Sequence, residues 1–529
     1  MGTLGGGKYE TQMCIAIIED LYGKIVGKVA ETLLKESCQL KTLEFKLKGQ
    51  VTPILIRKSL TTLINFGFVK FFMDSNRKSL YIVEPNAIRH VLSAPRACLI
   101  AKTLYGPDAE AICEELFSQG KLTCSNAIRR VQARDEQASL MNLKKSFTDL
   151  ANSQFIIRNP KVEGELHGIP QFETVFDAFV MPNEIMDMSE RKETEEGGSR
   201  KRKIGEKVDG DVGEYWRLNW NRFDAYLRDE IIVEFLIGGT NASTSEDKTH
   251  QIVSQTCHLI FKLNELRCSS LKPANVENFT ASTYDIVKMA KENSIQLSKA
   301  DIDLSCHILC DESDGIVRRI GDTSGGLYQI DVKRAIRLIC RAHLESLIRE
   351  QLDQKAIRIM HLLEVRHYLD EEQVEKQSMM SAKEAREMLY ALVEEGYVFT
   401  KAVGRSGDFQ PARTIYLYYL DLKKTVQGLV EYTCKLIRNL ILRNSFERKE
   451  NKHLLDKDAT VGPIVEGIKG NEELDEESKL AQIAEVEEMY LPGPDRLQLD
   501  KFRKAQACLL ASQDRSAKVL LAFKLFLNQ

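Results

Sequence analysis

Two stretches of the chain repeat each other and decide the fold: residues 58–69 read KSLTTLINFGFV and residues 145–156 read KSFTDLANSQFI. Six of the twelve positions are identical, at a constant offset of 87 residues. Residues 387–398, EMLYALVEEGYV, form a looser third copy. Each copy has apolar residues at the spacing of an amphipathic helix, followed by a short run of high β propensity. The repeat therefore predicts helices of one kind, each leading directly into a strand.

The starts of two of these helices carry capping signals. In the first copy, Thr52 is expected to cap the helix and Pro53 to occupy its first position. In the third copy, Ser381 and Glu384 have the spacing of a capping box. These signals predict helices that begin near residues 53 and 382.

A β-hairpin is predicted after most of these amphipathic helices. Residues 68–73 and 80–83 flank a polar turn, and residues 397–403 and 414–420 flank another. A further unit has a helix over 301–310 and strands over 315–320 and 327–330, joined by the turn GDTSGG. Short helices, an amphipathic helix and then a hairpin are typical of the winged-helix variant of helix-turn-helix. A generic helical repeat array is the alternative, but such arrays lack a hairpin after every second or third helix.

We predict a mainly α fold with small β-hairpins (α+β), made of tandem winged-helix domains followed by a C-terminal helical hairpin or coiled coil. The hairpin of the second domain has the weakest sequence signal. The predicted segments are winged helices over 9–85, 100–180, 215–332 and 333–422, a disordered charged linker over 187–213, and a helical region over 423–529. The linker contains a candidate nuclear import signal, which consists of Arg200, Lys201, Arg202 and Lys203.

The composition excludes several classes of protein. The 529 residues suggest three or four domains at about 150 residues each. No uncharged apolar run reaches the roughly 18 residues that a membrane span needs, so we expect no membrane contact. The 12 Cys are scattered, which is typical of reduced intracellular thiols. The net charge of −3 argues against a polyelectrolyte but leaves room for local basic faces.

No motif supports a metal, a cofactor or a self-contained active site. Cys306, His307 and Cys310 suggest zinc, but no CxxC pair exists to complete a tetrahedral site. Buried thiols are the preferred interpretation. Phosphate-binding, nucleotide-binding and nucleophile motifs are also missing from the sequence. We therefore expect neither a catalytic residue, nor a metal, nor a cofactor.

Basic side chains on the predicted helices and wings are candidates for contact with DNA phosphates. They are Arg57, Lys58, Arg77, Lys78, Arg129, Arg130, Lys144, Lys145, Arg318 and Arg319. The amphipathic helix of the fourth unit is acidic instead and predicts a protein interface, with Glu384, Glu387, Glu394 and Glu395 as candidates. An ordinary solvated surface would account for the same charges. If the basic residues do contact DNA, they predict weak, salt-sensitive binding.

Six stretches carry a resemblance to a known family. They are residues 102–123 (KTLYGPDAEAICEELFSQGKLT), 215–233 (YWRLNWNRFDAYLRDEIIV), 321–335 (GDTSGGLYQIDVKRA), 381–398 (SAKEAREMLYALVEEGYV), 413–417 (RTIYL) and 445–455 (SFERKENKHLL). In these stretches the chain resembles the winged-helix subunits of DNA-directed RNA polymerase III, the largest members of that enzyme's initiation heterotrimer. The family is similar to the large subunit of TFIIE, which carries a zinc ribbon that this chain lacks.

The resemblance implies a non-catalytic subunit of a nuclear polymerase that supports initiation at small non-coding RNA genes. Its implied partners are the heterotrimer subunits, the clamp of the largest subunit, the polymerase III initiation factor, and promoter DNA, both double-stranded and opening. The alternatives are a free-standing multi-winged-helix DNA-binding transcription regulator and a scaffold of a proteasome-lid or translation-initiation assembly. An enzyme in its own right is the third alternative, and no motif supports it.

Overall fold

The computed structural model describes most of the chain. The described residues are 7–73, 78–135, 139–166, 169–173, 177–181, 211, 213–239, 247–267, 280–293, 295–404, 414–470 and 476–529. They form two compact units. The first contains Met1–Asn219 and Thr433–Ala517, and the second contains Trp220–Tyr432 and Lys518–Gln529.

The first unit begins with two winged-helix domains. The elements of the first domain are α1 (Lys8–Tyr22), α2 (Lys24–Lys35), α3 (Leu40–Lys46), α4 (Pro53–Asn65), β1 (Val69–Met73) and β2 (Ser79–Val83). Those of the second are α5 (Pro85–Tyr105), α6 (Pro107–Gln119), α7 (Cys124–Arg134), α8 (Leu140–Asn152), β3 (Ile156–Arg158), β4 (Val162–Leu166), β5 (Ile169–Phe172) and β6 (Trp216–Leu218). β1 pairs antiparallel with β2, which gives the predicted first wing.

The second unit contains the third and fourth domains. The third comprises α9 (Trp220–Gly239), α10 (Asp247–Arg267), β7 (Thr280–Ser282), α11 (Thr283–Glu292), α12 (Lys299–Glu312), β8 (Val317–Gly321) and β9 (Leu327–Ile330). The fourth comprises α13 (Val332–Gln351), α14 (Gln354–Arg366), α15 (Glu371–Ser378), α16 (Ala382–Glu394), β10 (Phe399–Gly404) and β11 (Thr414–Tyr419). The sheet order in the third domain is β7-β9-β8.

Four long helices end the chain: α17 (Leu422–Glu450), α18 (Lys452–Lys469), α19 (Glu476–Tyr490) and α20 (Gly493–Leu527). In the first unit, the buried side chains of Leu454, Val461, Leu491, Leu499 and Phe502 form one apolar cluster. This cluster holds α18 and α20 together, and Val486 of α19 packs against it. None of the described helices has the length and apolar character that crossing a membrane requires.

The repeated stretches fall on α4, α8 and α16, each the last helix before a wing, and α12 has the same place in the third domain. We call these four helices the recognition helices. The helices α4, α8 and α16 have 13 residues each. The bounds of α8 are those of α4 shifted by 87 residues, and the bounds of α16 are shifted by 329. Ile56, Leu60 and Leu63 of α4 are buried as their spacing predicts. The mainly α fold with small hairpins is confirmed.

The two predicted helix caps differ. Ser381 and Glu384 form the expected capping box, in which each side chain bonds to the other's backbone N–H. Thr52 is the N-cap residue of α4, but its side chain makes no cap hydrogen bond. Pro53 does occupy the first turn of α4. The start of α4 therefore relies on the fixed φ of proline.

One aromatic residue on the last strand recurs in all four domains. It faces a residue in the short edge segment that precedes the penultimate helix. The pairs are Cys38 with Tyr81, Leu122 with Trp216, Ala281 with Tyr328, and Leu369 with Tyr418. With this short segment counted as the first strand, each domain has the helix-strand-helix-helix-strand-strand order of a winged helix.

The wing of the second domain is closed by a distant segment. β3 pairs antiparallel with β6, so Ile156 faces Leu218, while β4 and β5 pair with each other in the insertion between them. The second domain thus extends to Leu218, beyond residue 180 where the sequence pattern ended it. Most of the predicted linker lies outside the described residues, but Asp211 is described and is 1% exposed.

Each recognition helix is followed by a residue with positive φ. These residues are Gly67 (75°), Gln154 (66°), Gly315 (75°) and Gly396 (75°). The left-handed conformation turns the chain from the helix into the wing, and glycine adopts it without steric cost. Gln154 holds the same conformation with a side chain attached.

Candidate nucleic-acid interface

The four recognition helices differ at one equivalent solvent-facing position. The repeat places Lys58, Lys145 and Glu387 at this position in α4, α8 and α16. In α12 the buried residues Ile302, Cys306 and Leu309 match Ile56, Leu60 and Leu63 of α4, which puts Leu304 there. The side chain at this position is therefore basic in the first two domains, apolar in the third and acidic in the fourth.

In the first domain, Lys58 is exposed and forms no ion pair with any described residue. Its neighbour Arg57 is exposed but donates from Nε to Glu44 Oε1 at 3.0 Å. Lys78 is exposed on the wing, and Arg77 lies outside the described residues. Of the described candidates in this domain, Lys58 and Lys78 are therefore the two without a carboxylate partner.

In the second domain, the predicted basic residues lie on α7 and α8. Arg129 lies 3.3 Å from Asn126 Oδ1, and Arg130 lies 3.7 Å from Glu115. Lys145 is exposed, and within the described part of the chain its ammonium has no ion-pair partner. Arg134, which was not among the predicted residues, extends this row along α7 and bonds to Glu114 at 2.9 Å.

The structure places Lys144 differently from the prediction. Its Nζ is buried and has no hydrogen-bond partner among the described residues. The charges of Asp211 and Lys144 both act on the Cys124 thiol, whose pKa is raised to about 12, mainly by burial. The ammonium of Lys144 therefore points into the domain and does not belong to the exposed basic face.

In the third domain, the predicted basic residues Arg318 and Arg319 lie on the wing. Arg318 Nε donates to the carbonyl of Gly315 at 2.9 Å, and Arg319 bonds to Asp322 at 2.9 Å. The helix α12 has the sequence KADIDLSCHILCDE, with four acidic residues and one lysine. An acidic recognition helix would repel phosphate, so this domain presents a weaker nucleic-acid face than the first two.

The acidic residues of α16 include a structural one. Glu384 bonds to Lys355 at 2.8 Å and to Ser381, and the Lys355 hydrogen bond comes first among the causes that lower the pKa of Glu384. Glu387 lies 4.0 Å from Lys383. Glu394 and Glu395 are exposed at the end of the helix. Glu384 thus supports the start of α16, whereas Glu387, Glu394 and Glu395 are exposed.

The fourth domain also has an aromatic cluster that the sequence analysis missed. Tyr419 contacts Tyr368 and Phe399, with ring centroids 5.3 and 5.9 Å apart. The ammonium of Lys401 lies 5.6 Å from the Tyr368 ring, and that of Lys424 lies 5.4 Å from the Phe399 ring. The run of aromatic residues in β11, TIYLYY, is the sequence signal that indicates such a surface.

Of the described thiols in the third domain, Cys257 and Cys306 are buried and Cys310 is partly exposed. Cys257 and Cys306 are inaccessible, and burial is the main cause that raises the pKa of each to about 12. His307 is exposed on the other side of the helix. Among the residues that the structure describes, no group of three or more His, Cys, Asp or Glu side chains is arranged to hold a metal ion.

Fold and surface together define a tandem winged-helix protein with basic faces on its first two domains. Family models match three parts of the chain. The RNA polymerase III subunit RPC82 helix-turn-helix domain matches residues 12–74, RNA polymerase III subunit RPC82 matches 145–339, and the POLR3C C-terminal winged-helix domain matches 344–420.

Curated relatives match nearly the whole chain. Three of them, from fish, rat and human, carry the description DNA-directed RNA polymerase III subunit RPC3. The protein of Danio rerio is 26% identical over 98% of both chains, that of Rattus norvegicus 28% over 95%, and that of Homo sapiens 27% over 95%. The chain belongs to this RPC3/RPC82 family of winged-helix subunits of RNA polymerase III.

Proposed function

We propose that the chain is a non-catalytic subunit of nuclear RNA polymerase III that supports transcription initiation at small non-coding RNA genes. The first two domains contact promoter DNA as it opens. The fourth domain and the C-terminal helices bind the heterotrimer partners, the clamp of the largest subunit and the polymerase III initiation factor.

The observation that carries the proposal is the pair Lys58 and Lys145. They occupy the same position on two recognition helices, both are exposed, and neither is engaged by a carboxylate within the described residues. A recognition helix of this class lies against the DNA groove, so exposed lysines on it meet phosphates. The equivalent Leu304 and Glu387 would not attract DNA, which supports a protein-binding role for the third and fourth domains.

The energetics favour DNA contact within an assembly over independent DNA binding. Each neutralised phosphate contributes a slope of about −0.9 to the dependence of log K on log salt concentration. The few open lysines therefore give an isolated chain only weak, salt-sensitive affinity. In the polymerase the same contacts are added to those of other subunits and raise the overall affinity.

Nuclear localisation is part of the proposal and rests on the sequence alone. The basic residues Arg200, Lys201, Arg202 and Lys203 form the candidate import signal and lie outside the described residues. Replacing all four with alanine is expected to reduce nuclear accumulation of the fluorescently tagged chain. Unchanged accumulation would mean that import uses another signal or a partner.

Affinity purification of the tagged chain from nuclear extract at moderate salt tests the assignment. We expect the large polymerase III subunits at near-equal stoichiometry, measured by quantitative mass spectrometry. Recovery of DNA alone would indicate a free-standing regulator. Recovery of proteasome-lid or translation-initiation subunits alone would indicate a scaffold, and either result would contradict the proposal.

A further inference from the structure

The first unit contains a cavity of about 580 Å³, open to solvent and lined by residues of α1, α5, α6, α17 and α20. Cavities that bind ligands or inserted side chains have volumes of roughly 300–1,000 Å³. The walls are largely apolar and include Ile17, Leu92 and Phe117. The space is large enough for two or three side chains of a peptide segment.

The charged side chains that line the cavity are all acidic, and the Gln513 amide adds both a donor and an acceptor. Asp20, Glu110 and Glu114 contribute three carboxylates, and among the described lining residues there is neither a lysine nor an arginine. Glu110 bonds to Lys102 at 2.8 Å and Glu114 to Arg134 at 2.9 Å. Both cations are more than half exposed, so these pairs are weak and exchange readily for another cation.

The helix α5 adds a further acceptor. Pro95 lies inside this helix and has no N–H to donate to the carbonyl four residues earlier, that of Val91. Both residues line the cavity. The carbonyl of Val91 thus lacks its intrahelical donor beside three carboxylates, in an apolar setting where a donor is most strongly attracted.

We propose that this cavity binds a basic, partly apolar peptide segment of another subunit of the polymerase. An apolar side chain of the segment packs on the cavity walls. A neighbouring lysine or arginine donates to the carboxylates of Glu110 and Glu114 and displaces their exposed partners. That the segment comes from a polymerase subunit rests on the proposed function, whereas its chemistry rests on the cavity.

Cys98 provides a native reporter of occupancy. It lines the cavity and is partly exposed. Burial and the charges of Glu114 and Glu110 raise the pKa of its thiol to about 11, so alkylation is measured at about pH 9, where part of the thiol is ionised. Cys508 is exposed on α20 and does not line the cavity. It serves as the internal reference in the same sample.

The experiment compares the rate of alkylation by iodoacetamide at each thiol in the isolated chain and in the purified polymerase. The rate at Cys98 is divided by the rate at Cys508 in the same sample. We expect this ratio to be at least about tenfold lower in the polymerase than in the isolated chain, as 90% occupancy of the cavity requires. Equal rates in the two states would overturn the inference. Slow reaction in both states would mean that no external segment is needed to fill the cavity and would overturn it as well.

Charge reversal tests the basic character of the occupant. In polymerase carrying Glu114→Lys, Cys98 should react within about twofold of its rate in the isolated chain that carries the same substitution, because the occupant is repelled. Glu31→Lys is the matched control, since Glu31 is as exposed as Glu114 (41%) and also loses an exposed ion pair. Full protection in Glu114→Lys polymerase would contradict a basic occupant.

The two proposals fail in different ways. If the chain does not co-purify with polymerase III subunits, the proposed function is wrong. If it co-purifies and Cys98 stays as reactive as in the isolated chain, only the inference about the cavity is wrong.

A photocrosslinking probe placed at Leu21, on the cavity lining, identifies the bound peptide in polymerase in which Cys98 is protected from alkylation. A segment without lysine or arginine would contradict the inference.

Discussion

The carboxylate of Asp211 accepts a hydrogen bond at 2.7 Å from the backbone N–H of Ser125, 86 positions earlier in the chain. Asp211 therefore acts as a cap on the start of α7 from outside the helix, where a negative charge is favourable. Nearby, Glu214 bonds to Lys161 at 2.8 Å. The end of the charged insertion is thus built into the second winged-helix domain.

Replacing Asp211 with alanine is expected to destabilise α7 by about 1–2 kcal/mol, the usual cost of losing a cap or a charged hydrogen bond. Hydrogen exchange of the α7 amides, followed by mass spectrometry, measures this local effect. Asp370→Ala is the control, because Asp370 caps α15 in the fourth domain and should affect only that helix. Unchanged exchange in α7 would show that Asp211 is not part of its cap.

Replacing Gln154 with glycine is expected to stabilise the chain by about 1 kcal/mol. A side chain in the left-handed conformation costs about 1–2 kcal/mol, and the extra freedom of glycine in the unfolded chain offsets part of the gain from removing it. Urea denaturation measures the change. The reciprocal variant Gly67→Gln, at the equivalent position with φ 75°, should be destabilised. Loss of stability in Gln154→Gly would mean that the Gln154 side chain makes a compensating contact.

The adjacent residues Lys144 and Lys145 should respond in opposite ways to substitution by methionine. Lys144→Met removes a buried ammonium without a hydrogen-bond partner among the described residues, so stability should stay constant or rise by about 1 kcal/mol. DNA affinity should not change. Lys145→Met should reduce the salt slope of DNA binding by about 0.9, which corresponds to one phosphate. Equal effects on DNA binding would mean that Lys144 reaches the surface.

The pair Arg267 and Asp285 predicts a pH dependence in the third domain. Arg267 Nη2 donates to Asp285 at 2.7 Å, and this bond is the first cause that lowers the pKa of Asp285 below its ordinary value of 3.8. A carboxyl whose pKa is lower in the folded chain than in the unfolded chain stabilises the fold at pH values above its ordinary pKa, where it is ionised. That contribution declines as the pH falls below 3.8 and is lost below the pKa of the folded state.

Wild type should therefore be more stable than Arg267→Gln at neutral pH, by at most about 1 kcal/mol because the pair is partly exposed. The difference should shrink as the pH falls below 3.8. Urea denaturation at a series of pH values measures it. Lys291→Gln, in the same domain, should show no such trend. A difference that grows in acid would contradict the assigned role of Asp285.

The sequence predicted the parts of the fold that depend on local pattern. The apolar spacing and the start signals at Pro53 and Ser381 predicted α4 and α16. The repeat at an offset of 87 residues predicted a helix at the position of α8. The wing of the second domain was not predictable in this way. Its second strand is separated from β3 by 57 residues, and its alternation of apolar and polar residues spans only three positions, too few to indicate a strand or its partner.

The surface was less predictable than the fold. Lys144 and Lys145 are neighbours in the sequence, but burial of the Lys144 ammonium depends on tertiary packing near Cys124. The pairing of Arg57 with Glu44 joins two helices and is equally invisible in a local pattern. The acidic residues of α12 are apparent in the sequence. The prediction of DNA contact in the third domain rested on the wing residues Arg318 and Arg319 alone.

The most direct test of the account uses purified polymerase carrying Lys58→Glu and Lys145→Glu together. Binding to promoter DNA is measured as a function of salt concentration, and subunit composition is measured in the same preparation. Polymerase carrying Lys383→Glu is the control, because Lys383 lies on the acidic helix α16. We expect the salt slope to fall by about 2, for two lost phosphate contacts, with all subunits retained and the control unchanged. An unchanged salt slope, or loss of subunits with normal DNA binding by the remaining particles, would contradict the assignment of these lysines to promoter DNA.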